Sequence, residues 1–355
     1  MRVLVAMSGG VDSSVAAALL LEQGHELAGA TLKLWGGESD SGCCSVADVD
    51  DARRVAQQLG IEHWVFNFGD DFDEHVVAPY VADHAAGRTP NPCVECNRHL
   101  KFDRLLRRAD QLGFDAVATG HHVRRVGLAD GGYALARAAD AEKDQSYVLH
   151  MLTSEVIERC LFPVGEMPKA EVRARATALG LRTADKPDSQ DVCFIARTAG
   201  GRRTFLGSRI GLRPARVVDT EGTPVGHVDA VELVTVGQRR GLGLPGGADP
   251  RFVLSVDAAA GEIVVGRAEQ LLVERISLER VVWAAAGPGP TNEVAAQASA
   301  HGTPFLAIVA VNPLEPGHTE LTLPERHPRV APGQSVVLYR RIGDDDIVLG
   351  GGIAV

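Results

Sequence analysis

Two groups of residues carry side chains suited to anion binding and to nucleophilic chemistry. The first is the run Ser8 to Ser13 (Ser-Gly-Gly-Val-Asp-Ser), and the second consists of Cys93, Cys96 and Cys193. Glycines let the backbone approach an anion closely, and the N–H groups at a helix start can bind it. Thiolates act as nucleophiles and as metal ligands. The sequence therefore combines a candidate phosphate site with candidate thiol chemistry.

Asp12 sets the run Ser8 to Ser13 apart from a simple anion site, because its carboxylate would repel phosphate unless Mg²⁺ bridged the two. The ATP-binding loop that has Lys after its glycines (G-x-x-x-x-G-K-[ST]) is absent. A turn that needs only Gly and a helix-capping residue is the structural alternative. Because the whole hexapeptide follows a predicted buried strand, the sequence favours a phosphate site with Mg²⁺.

Cys93 and Cys96 form a C-x-x-C pair just after two prolines, which predict an extended loop. We expect the next helix to begin near Arg98, so that Cys96 lies at its N-terminus and has a lowered pKa. A C-x-x-C pair is also half of a zinc site, although no second pair and no H-x₃₋₅-H follow. Cys193 separates a polar run from an apolar one, where a buried, inert thiol is the alternative.

The three remaining cysteines are expected to have no chemical role. Cys160 fits the apolar face of a helix, whereas Cys43 and Cys44 lie in a Gly/Ser loop. His121 and His122 follow Gly120, where either strand-end packing or general-base chemistry is open.

The elements that must position these residues alternate between strand and helix in the first half of the chain. Strands are predicted at Arg2–Met7, Glu26–Trp35, His63–Phe68 and Asp115–Thr119, and helices at Ser13–Gln23, Val46–Leu59, Asp71–His84 and Arg98–Leu112. This order is typical of an α/β fold with a parallel sheet, in which ligands bind at the carboxyl ends of the strands.

Beyond about residue 205 the pattern changes to short strands separated by Gly and Pro. The predicted strands are Ala215–Asp219, Val231–Thr235, Phe252–Asp257, Ile263–Gly266, Ile276–Trp283, Phe305–Val311, Thr319–Leu323, Ser335–Tyr339 and Gly350–Val355. We expect three domains: a catalytic domain (1–204), a small β-rich central domain (205–273) and a C-terminal β-barrel (274–355).

Charge and composition limit the choice of partner and compartment. The chain has 355 residues with 36 Lys and Arg against 46 Asp and Glu, a net charge of −10 that argues against a protein that coats nucleic acid. Basic residues nevertheless gather locally, at 98–108, at 202–216 (with Phe205 available for base stacking) and at Arg239 and Arg240. No apolar run is long enough for a membrane span or a signal peptide, so a cytoplasmic protein is expected.

Taken together, the motifs resemble those of the tRNA 2-thiouridylases, a family of PP-loop enzymes that split ATP between its α and β phosphates. The matching segments, in chain order, are Ser8–Ser13, Thr89–Asn97, Ala118–His122, Lys143–Tyr147, Lys186–Ile195, Val236–Gly243 and Leu349–Gly352. The resemblance implies a PP-loop (adenine nucleotide α-hydrolase-like) domain followed by the two β-rich domains.

The resemblance also implies roles for individual residues. ATP would contact Ala6, Met7, Ser8, Gly9, Gly10, Val11, Asp12, Ser13, Leu32 and Gly120. The tRNA would contact Asn91, Pro92, Cys93, Lys143, Asp144 and Gln145. Cys193 would carry sulfur as a persulfide and Cys96 would attack or resolve it, after the wobble uridine O2 has been adenylated with release of pyrophosphate.

Cys93 departs from the family pattern, because many members have Asp there. Cys93, Cys96 and Cys193 would then be three ligands for a [4Fe-4S] cluster whose open iron donates sulfide, as an alternative to the persulfide. Ser299–Gly302 also differs from the Arg-Tyr that is frequent in the family's C-terminal domain.

The expected partners are tRNA and a sulfur donor such as a cysteine desulfurase or a sulfur-relay protein, with no membrane. Two other functions stay open from the residues alone. One is a PP-loop amide-forming ligase, which would not need Cys96 or Cys193. The other is a non-catalytic RNA-binding protein with a zinc-stapled loop, which would bind tRNA without releasing pyrophosphate.

Overall fold

The structure is a computed structural model, and it describes residues 1–34, 45–129, 131–188, 192–195, 200–245, 249–284, 292–311 and 317–355. Cys43, Cys44, the motif residues 189–191 and the Pro/Gly stretch 286–290 lie outside the described residues. Within them, no helix is both long and apolar enough to cross a membrane.

The first half of the chain builds a parallel sheet flanked by helices. The strands of this sheet are β1 Arg2–Ala6, β2 Glu26–Lys33, β3 Glu62–Asn67, β4 Ala116–Ala118 and β7 Cys160–Leu161. Between β4 and β7, the strands β5 Arg124–Gly127 and β6 Tyr133–Ala136 form an antiparallel hairpin. The sheet order is β3-β2-β1-β4-β7, with every neighbouring pair parallel. The predicted α/β class is confirmed, because continuous apolar strands such as Val3 to Val5 are completely buried.

Helices cover the sheet and follow the predicted order. They are α1 Val11–Glu22, α2 Val46–Leu59, α3 (residues 69–85), α4 (residues 92–111), α5 Ser154–Glu158, α6 Lys169–Ala178 and α7 Gly201–Gly207. The segment Asp73–Val77 of α3 and the segment Asn97–Arg104 of α4 have the wider π-helical hydrogen bonding. Ser45 caps α2 through a reciprocal capping box with Asp48, which explains why this helix begins where predicted.

The start of α4 differs from the prediction that places a helix near Arg98. The helix begins at Pro92, and Asn91 caps it by accepting a hydrogen bond from the Cys93 backbone N–H at 3.1 Å. Proline suits the first helical position because its fixed φ is helical and it has no N–H to satisfy. Cys93 therefore lies in the first turn of α4, and Cys96 lies further along the helix rather than at its N-terminus.

Cys160 also differs from its predicted place on a helix. It lies in β7, a short strand whose register pairs Cys160 with Val117 of β4. Burial raises the pKa of its thiol to about 12, which fits the expectation of a chemically inert core residue.

The central region is a four-stranded sheet of β8 Ala215–Val218, β9 Pro224–Val228, β10 Phe252–Asp257 and β11 Glu262–Gly266, in the order β10-β11-β8-β9. The predicted strand Val231–Thr235 is wrong: its first residues, Val231–Leu233, form a 3₁₀ turn. The sequence pattern also missed β9, because Pro224 and Gly226 are residue types that weaken the strand signal.

The C-terminal region is a closed barrel. Its strands are β12 Leu272–Trp283, β13 Glu293–Gln297, β14 Phe305–Val311, β15 Thr319–Pro328, β16 Ser335–Ile342 and β17 Asp345–Ala354. Pairing of β12 with β17 closes the ring, and β17 also pairs with β6 of the first half. The predicted barrel is thus confirmed, with the hairpin β5–β6 added to its sheet.

Candidate active site

The turn between β1 and α1 has the geometry of an anion site. The Ser13 hydroxyl accepts from the Ser8 backbone N–H (3.2 Å) and donates to the Gly10 carbonyl (3.2 Å), which folds the loop over the start of α1. Gly9 has φ +73°, and a Cβ there would lie 2.2 Å from the Asp48 carbonyl oxygen. The backbone therefore requires Gly at this position, and the turn leads directly into the N-terminus of the 12-residue helix α1.

The other predicted ATP residues surround this turn. Gly120 follows β4, and a Cβ on it would lie 2.5 Å from the Ser13 backbone nitrogen, so the two segments are in direct contact. Leu32 is buried near the carboxyl end of β2, and Met7 is buried at the end of β1, where its N–H donates to Ala30. The structure thus collects residues 6–13, 32 and 120 at the carboxyl edge of the sheet, where a nucleotide is expected.

Asp12 is held by two basic side chains. Both of its carboxylate oxygens accept hydrogen bonds from Lys169 Nζ at 2.7 Å, and Oδ1 also lies 3.0 Å from His122 Nε2. Burial alone would raise the pKa of Asp12, but the hydrogen bonds with His122 and Lys169 outweigh burial and lower it. Asp12 is therefore ionised, and one carboxylate with phosphate oxygens is the usual donor set for Mg²⁺.

Lys169 joins this loop to the segment that leads to Cys193. Its Nζ also lies 2.9 Å from Asp188, which in turn pairs with Lys143 (2.9 Å) and Arg173 (2.7 Å). Burial opposes ionisation of Asp188, but its hydrogen bonds with Lys169 and Lys143 hold its pKa well below the usual range. The side chains form one network of alternating charge from the first turn to the edge of the cysteine segment.

Lys186 forms a second link to the same turn. Its Nζ donates to the Gly9 carbonyl at 2.9 Å and pairs with Asp48 (2.6 Å) and Asp51 (2.8 Å). Burial would lower the pKa of Lys186, but hydrogen bonds with the two carboxylates raise it. Two ammonium groups, on Lys169 and Lys186, therefore contact the loop that is expected to bind phosphates.

The predicted catalytic cysteines belong to one apolar region. Cys96 is buried in α4 within the large cluster beside the sheet, and Cys193 is half-buried and packs against that cluster. Phe194, the neighbour of Cys193, packs its ring against Phe72 (5.6 Å), Tyr80 (5.4 Å) and Phe205 (5.0 Å), and these contacts hold the segment that carries Cys193. Because Phe205 is buried there, the prediction that it is available for stacking on a base is wrong.

Among the described residues, no group of three or more His, Cys, Asp or Glu side chains is arranged to hold a metal ion. Cys93, Cys96 and Cys193 are all described, so in this conformation they do not form the three-thiolate site that a [4Fe-4S] cluster needs. The zinc-stapled loop likewise finds no ligand set in the described part of the chain.

The residues predicted to contact tRNA differ in how available they are. Lys143 is half-buried and paired with Asp188, and Gln145 Oε1 accepts a hydrogen bond from the His122 N–H at 2.9 Å. Only 7% of the Asp144 side chain is exposed, and its carboxylate accepts hydrogen bonds from Arg137 and from Ser146. Asn91 caps α4 and Pro92 is buried. The contacts of these residues with tRNA stay predictions.

The basic groups are also unequal. In 98–108, Arg98, Arg104 and Arg107 pair with Glu95, Asp71 and Asp103, respectively. In 202–216, Arg213 and Arg216 pair with Glu232 and Glu262. Arg239 and Arg240 are both exposed, as are Arg203 and Arg209 in the second group, and exposed guanidinium groups suit phosphate contact.

Both His121 and His122 are buried, and His121 packs at the strand end. Its Nδ1 lies 2.8 Å from the Thr119 hydroxyl, and burial holds its pKa well below the usual range. Sequence reasoning missed Lys169, which lies at the first position of α6. A cation at a helix N-terminus is unfavourable, so this position was itself a signal of a nearby carboxylate.

Comparison with known proteins assigns the chain region by region. The model of the tRNA methyl transferase HUP domain matches residues 1–197, that of the tRNA methyl transferase PRC-barrel domain matches 203–267, and that of the aminomethyltransferase beta-barrel domain matches 273–354. The tRNA-specific 2-thiouridylase MnmA of Mycolicibacterium smegmatis is 49% identical over 358 residues, covering 98% of each chain. The protein of the same name from Corynebacterium kroppenstedtii is 46% identical over 360 residues, covering 99% of this chain and 94% of its own.

Proposed function

The chain belongs to the tRNA-specific 2-thiouridylase family, and we propose that it uses ATP to replace O2 of the wobble uridine of tRNA with sulfur. The family relationship makes it an ATP-dependent tRNA sulfurtransferase. The observation that carries the ATP half is the Ser8–Ser13 turn, with Gly120 against it and Lys169 bound to Asp12. The two alternative functions, an amide-forming ligase and a non-catalytic RNA-binding protein, are not supported, because the relatives that match nearly the full chain are tRNA 2-thiouridylases.

In the first step, backbone N–H groups at the start of α1 bind the ATP phosphates, and Lys169 and Lys186 neutralise charge as it builds up on pyrophosphate. The uridine O2 attacks the α-phosphorus, the bond from that phosphorus to the bridging oxygen breaks, and pyrophosphate leaves. The result is an adenylated uridine whose C2–O bond can now be broken. Asp12 is the carboxylate that would hold Mg²⁺, which would supply further neutralisation of phosphate charge.

In the second step, Cys193 carries the sulfur as a persulfide. Its terminal sulfur attacks C2, the C2–O bond breaks and AMP leaves. The Cys96 thiolate then attacks Sγ of Cys193, which releases 2-thiouridine and leaves a Cys96–Cys193 disulfide. An external dithiol must reduce this disulfide before a sulfur donor, such as a cysteine desulfurase or a sulfur-relay protein, reloads Cys193. Both cysteines lie against one apolar cluster, which supports this pairing.

The [4Fe-4S] alternative gains no support from the described residues, and no step is derived through it. Cys93, in the first turn of α4 and beside the expected target base, would lie close to the uridine. Arg239 and Arg240 would contact tRNA phosphates, together with Asn91, Pro92, Lys143, Asp144 and Gln145. We also propose that the enzyme acts in the cytoplasm. We propose a catalytic domain at 1–204, a tRNA-binding central domain at 205–273 and a C-terminal barrel at 274–355.

The experiment combines ATP, Mg²⁺, unmodified tRNA and a sulfane sulfur donor and measures pyrophosphate and 2-thiouridine separately. We expect Cys96→Ser and Cys193→Ser to release pyrophosphate without forming 2-thiouridine, and Cys160→Ser, which alters a thiol outside the site, to do both. Thiouridine formation by Cys193→Ser would refute the proposed sulfur carrier.

A further inference from the structure

The C-terminal barrel grips the segment that leads into the cysteine helix α4. Glu279 pairs with Arg88 at 2.5 Å, and Arg280 pairs with Glu95 at 3.1 Å. Two hydrogen bonds to the backbone of Thr89 add to these ion pairs. The Thr89 N–H donates to the Pro332 carbonyl at 2.7 Å, and the Gln334 side chain donates to the Thr89 carbonyl. The barrel thus contacts Arg88, Thr89 and Glu95, which lie shortly before Cys96 in the chain.

Arg280 reaches the helix because of a local distortion of β12. The pairing of β12 with β17 shifts register between Glu279 and Val282, and Arg280 within this bulge has φ +52°. A long side chain rarely adopts this backbone conformation, and bulges re-aim side chains next to active sites. The bulge therefore places Glu279 and Arg280 toward α4 at a conformational cost that the surrounding barrel supports.

The terminal glycine run, which the family resemblance singled out, makes this bulge possible. A Cβ on Gly350 would lie 2.0 Å from the Val282 carbonyl oxygen, and one on Gly352 would lie 2.9 Å from the Glu279 carbonyl oxygen. Only glycine lets β17 lie this close to the distorted part of β12. The glycines therefore support the strand that carries Glu279 and Arg280.

Glu95, which lies between the two cysteines of the C-x-x-C pair, is the residue of α4 that pairs with Arg280. Its carboxylate also contacts Arg98 (3.5 Å) and His99 (3.3 Å), and only 15% of its side chain is exposed. The contact with Arg280 comes from the barrel, whereas the contacts with Arg98 and His99 lie within α4. Loss of Arg280 would therefore free the first turn of α4 from the barrel while the helix itself persists.

We propose that Glu279 and Arg280 are positioning residues that hold the first turn of α4, and with it Cys96, in place for sulfur transfer. This inference rests on the proposed role of Cys96. The ion pairs of Glu279 and Arg280 reach Arg88 and Glu95 and not the Ser8–Ser13 turn, so we expect them to affect the second chemical step rather than ATP binding.

The test measures both steps in single turnovers for Arg280→Gln and Arg280→Gly. The second variant removes the side chain but gives the backbone a residue that adopts φ +52° freely, so it keeps the fold. We expect pyrophosphate release and the KM for ATP within about twofold of the unmodified enzyme, and 2-thiouridine formation slowed about tenfold or more in both variants. Arg280→Lys, which keeps the charge, should recover part of the rate.

Arg275→Gln is the matched control, because Arg275 lies on the same strand and pairs at 3.5 Å with Glu320 of the neighbouring strand β15, on the barrel surface. Alkylation of Cys96, followed by peptide mass spectrometry, should be faster in the Arg280 variants than in this control. Thiolation equal to the control, or an equal loss of both steps, would overturn the inference. Thiolation by Cys96→Ser would instead refute the role of Cys96, whatever the Arg280 variants do.

Discussion

Gly120→Ala tests the contact between β4 and the ATP loop. The added Cβ would lie 2.5 Å from Ser13 N, 2.7 Å from Asp12 C and 2.9 Å from Ser13 Cα. All three are backbone atoms, so no side chain can rotate away. To reach ordinary contact, from 2.5 to 3.4 Å, the start of α1 must retreat by about 0.9 Å.

A displacement of about 1 Å in a reacting geometry costs roughly 100-fold in rate. We therefore expect kcat/KM for ATP in pyrophosphate release to fall about 100-fold, and the free energy of unfolding to fall by about 1–3 kcal/mol from overpacking. The assay is pyrophosphate release at saturating tRNA, with the melting temperature measured in parallel.

Gly127→Ala is the control, because a Cβ at Gly127 meets no described atom within 4 Å and the position is exposed. This variant should keep both activity and stability. If Gly120→Ala kept full activity, or if it lost activity only in proportion to a general loss of fold, Gly120 would not form part of the ATP site.

Three further predictions follow from the charges and burial of the described residues. Lys169→Met should raise the KM for ATP about 10- to 100-fold, since a charged hydrogen bond contributes about 1.5–3 kcal/mol. Lys33→Met, which removes an exposed lysine, should leave this KM unchanged. An equal KM for ATP in the two variants would contradict the role of Lys169. Burial lowers the pKa of His150 to about 4 from 6.5, so the unfolded state takes up the proton first, and the free energy of unfolding should drop by roughly 3 kcal/mol as pH falls from 6.5 to 4. Denaturant titrations should find this drop removed in His150→Gln; a pH profile unchanged by that substitution would be the contrary result. Replacing both Arg239 and Arg240 with Gln should reduce the slope of log affinity for tRNA against log salt by about two, and an unchanged slope would remove them from the interface.

The parallel sheet and the ATP loop were predictable because their signals are local. A buried strand, a Gly-rich turn and a helix follow one another within Arg2–Glu22, and each residue type matches its own position. The start of α4 was mispredicted because both prolines indicate an extended loop from the sequence, although they have different roles in the structure. Pro92 occupies the first helical position after the Asn91 cap, whereas Pro90 precedes the helix. Only the cap geometry distinguishes the two.

Long-range pairings were not predictable from the pattern. Lys169 meets Asp12 across 157 residues, and β6 joins the barrel through Ala136 opposite Ile347. Cys160 was placed on a helix because a two-residue strand has no periodicity to detect. The family resemblance located the cysteines and the terminal glycines, but the reason for the glycines, their close approach to Val282 and Glu279, appears only in the packed barrel.

The most direct test of sulfur transfer uses enzyme loaded with isotopically labelled sulfane sulfur and mixed with ATP and unmodified tRNA for a single turnover. We expect the label to move from Cys193 to uridine only when ATP is present. In Cys96→Ser, pyrophosphate and AMP should be released while the label is trapped in a covalent adduct that joins Cys193 to C2 of the uridine, as located by peptide mass spectrometry after nuclease digestion. Labelled 2-thiouridine formed without ATP, or formed by Cys193→Ser, would contradict a mechanism in which adenylation precedes transfer from Cys193.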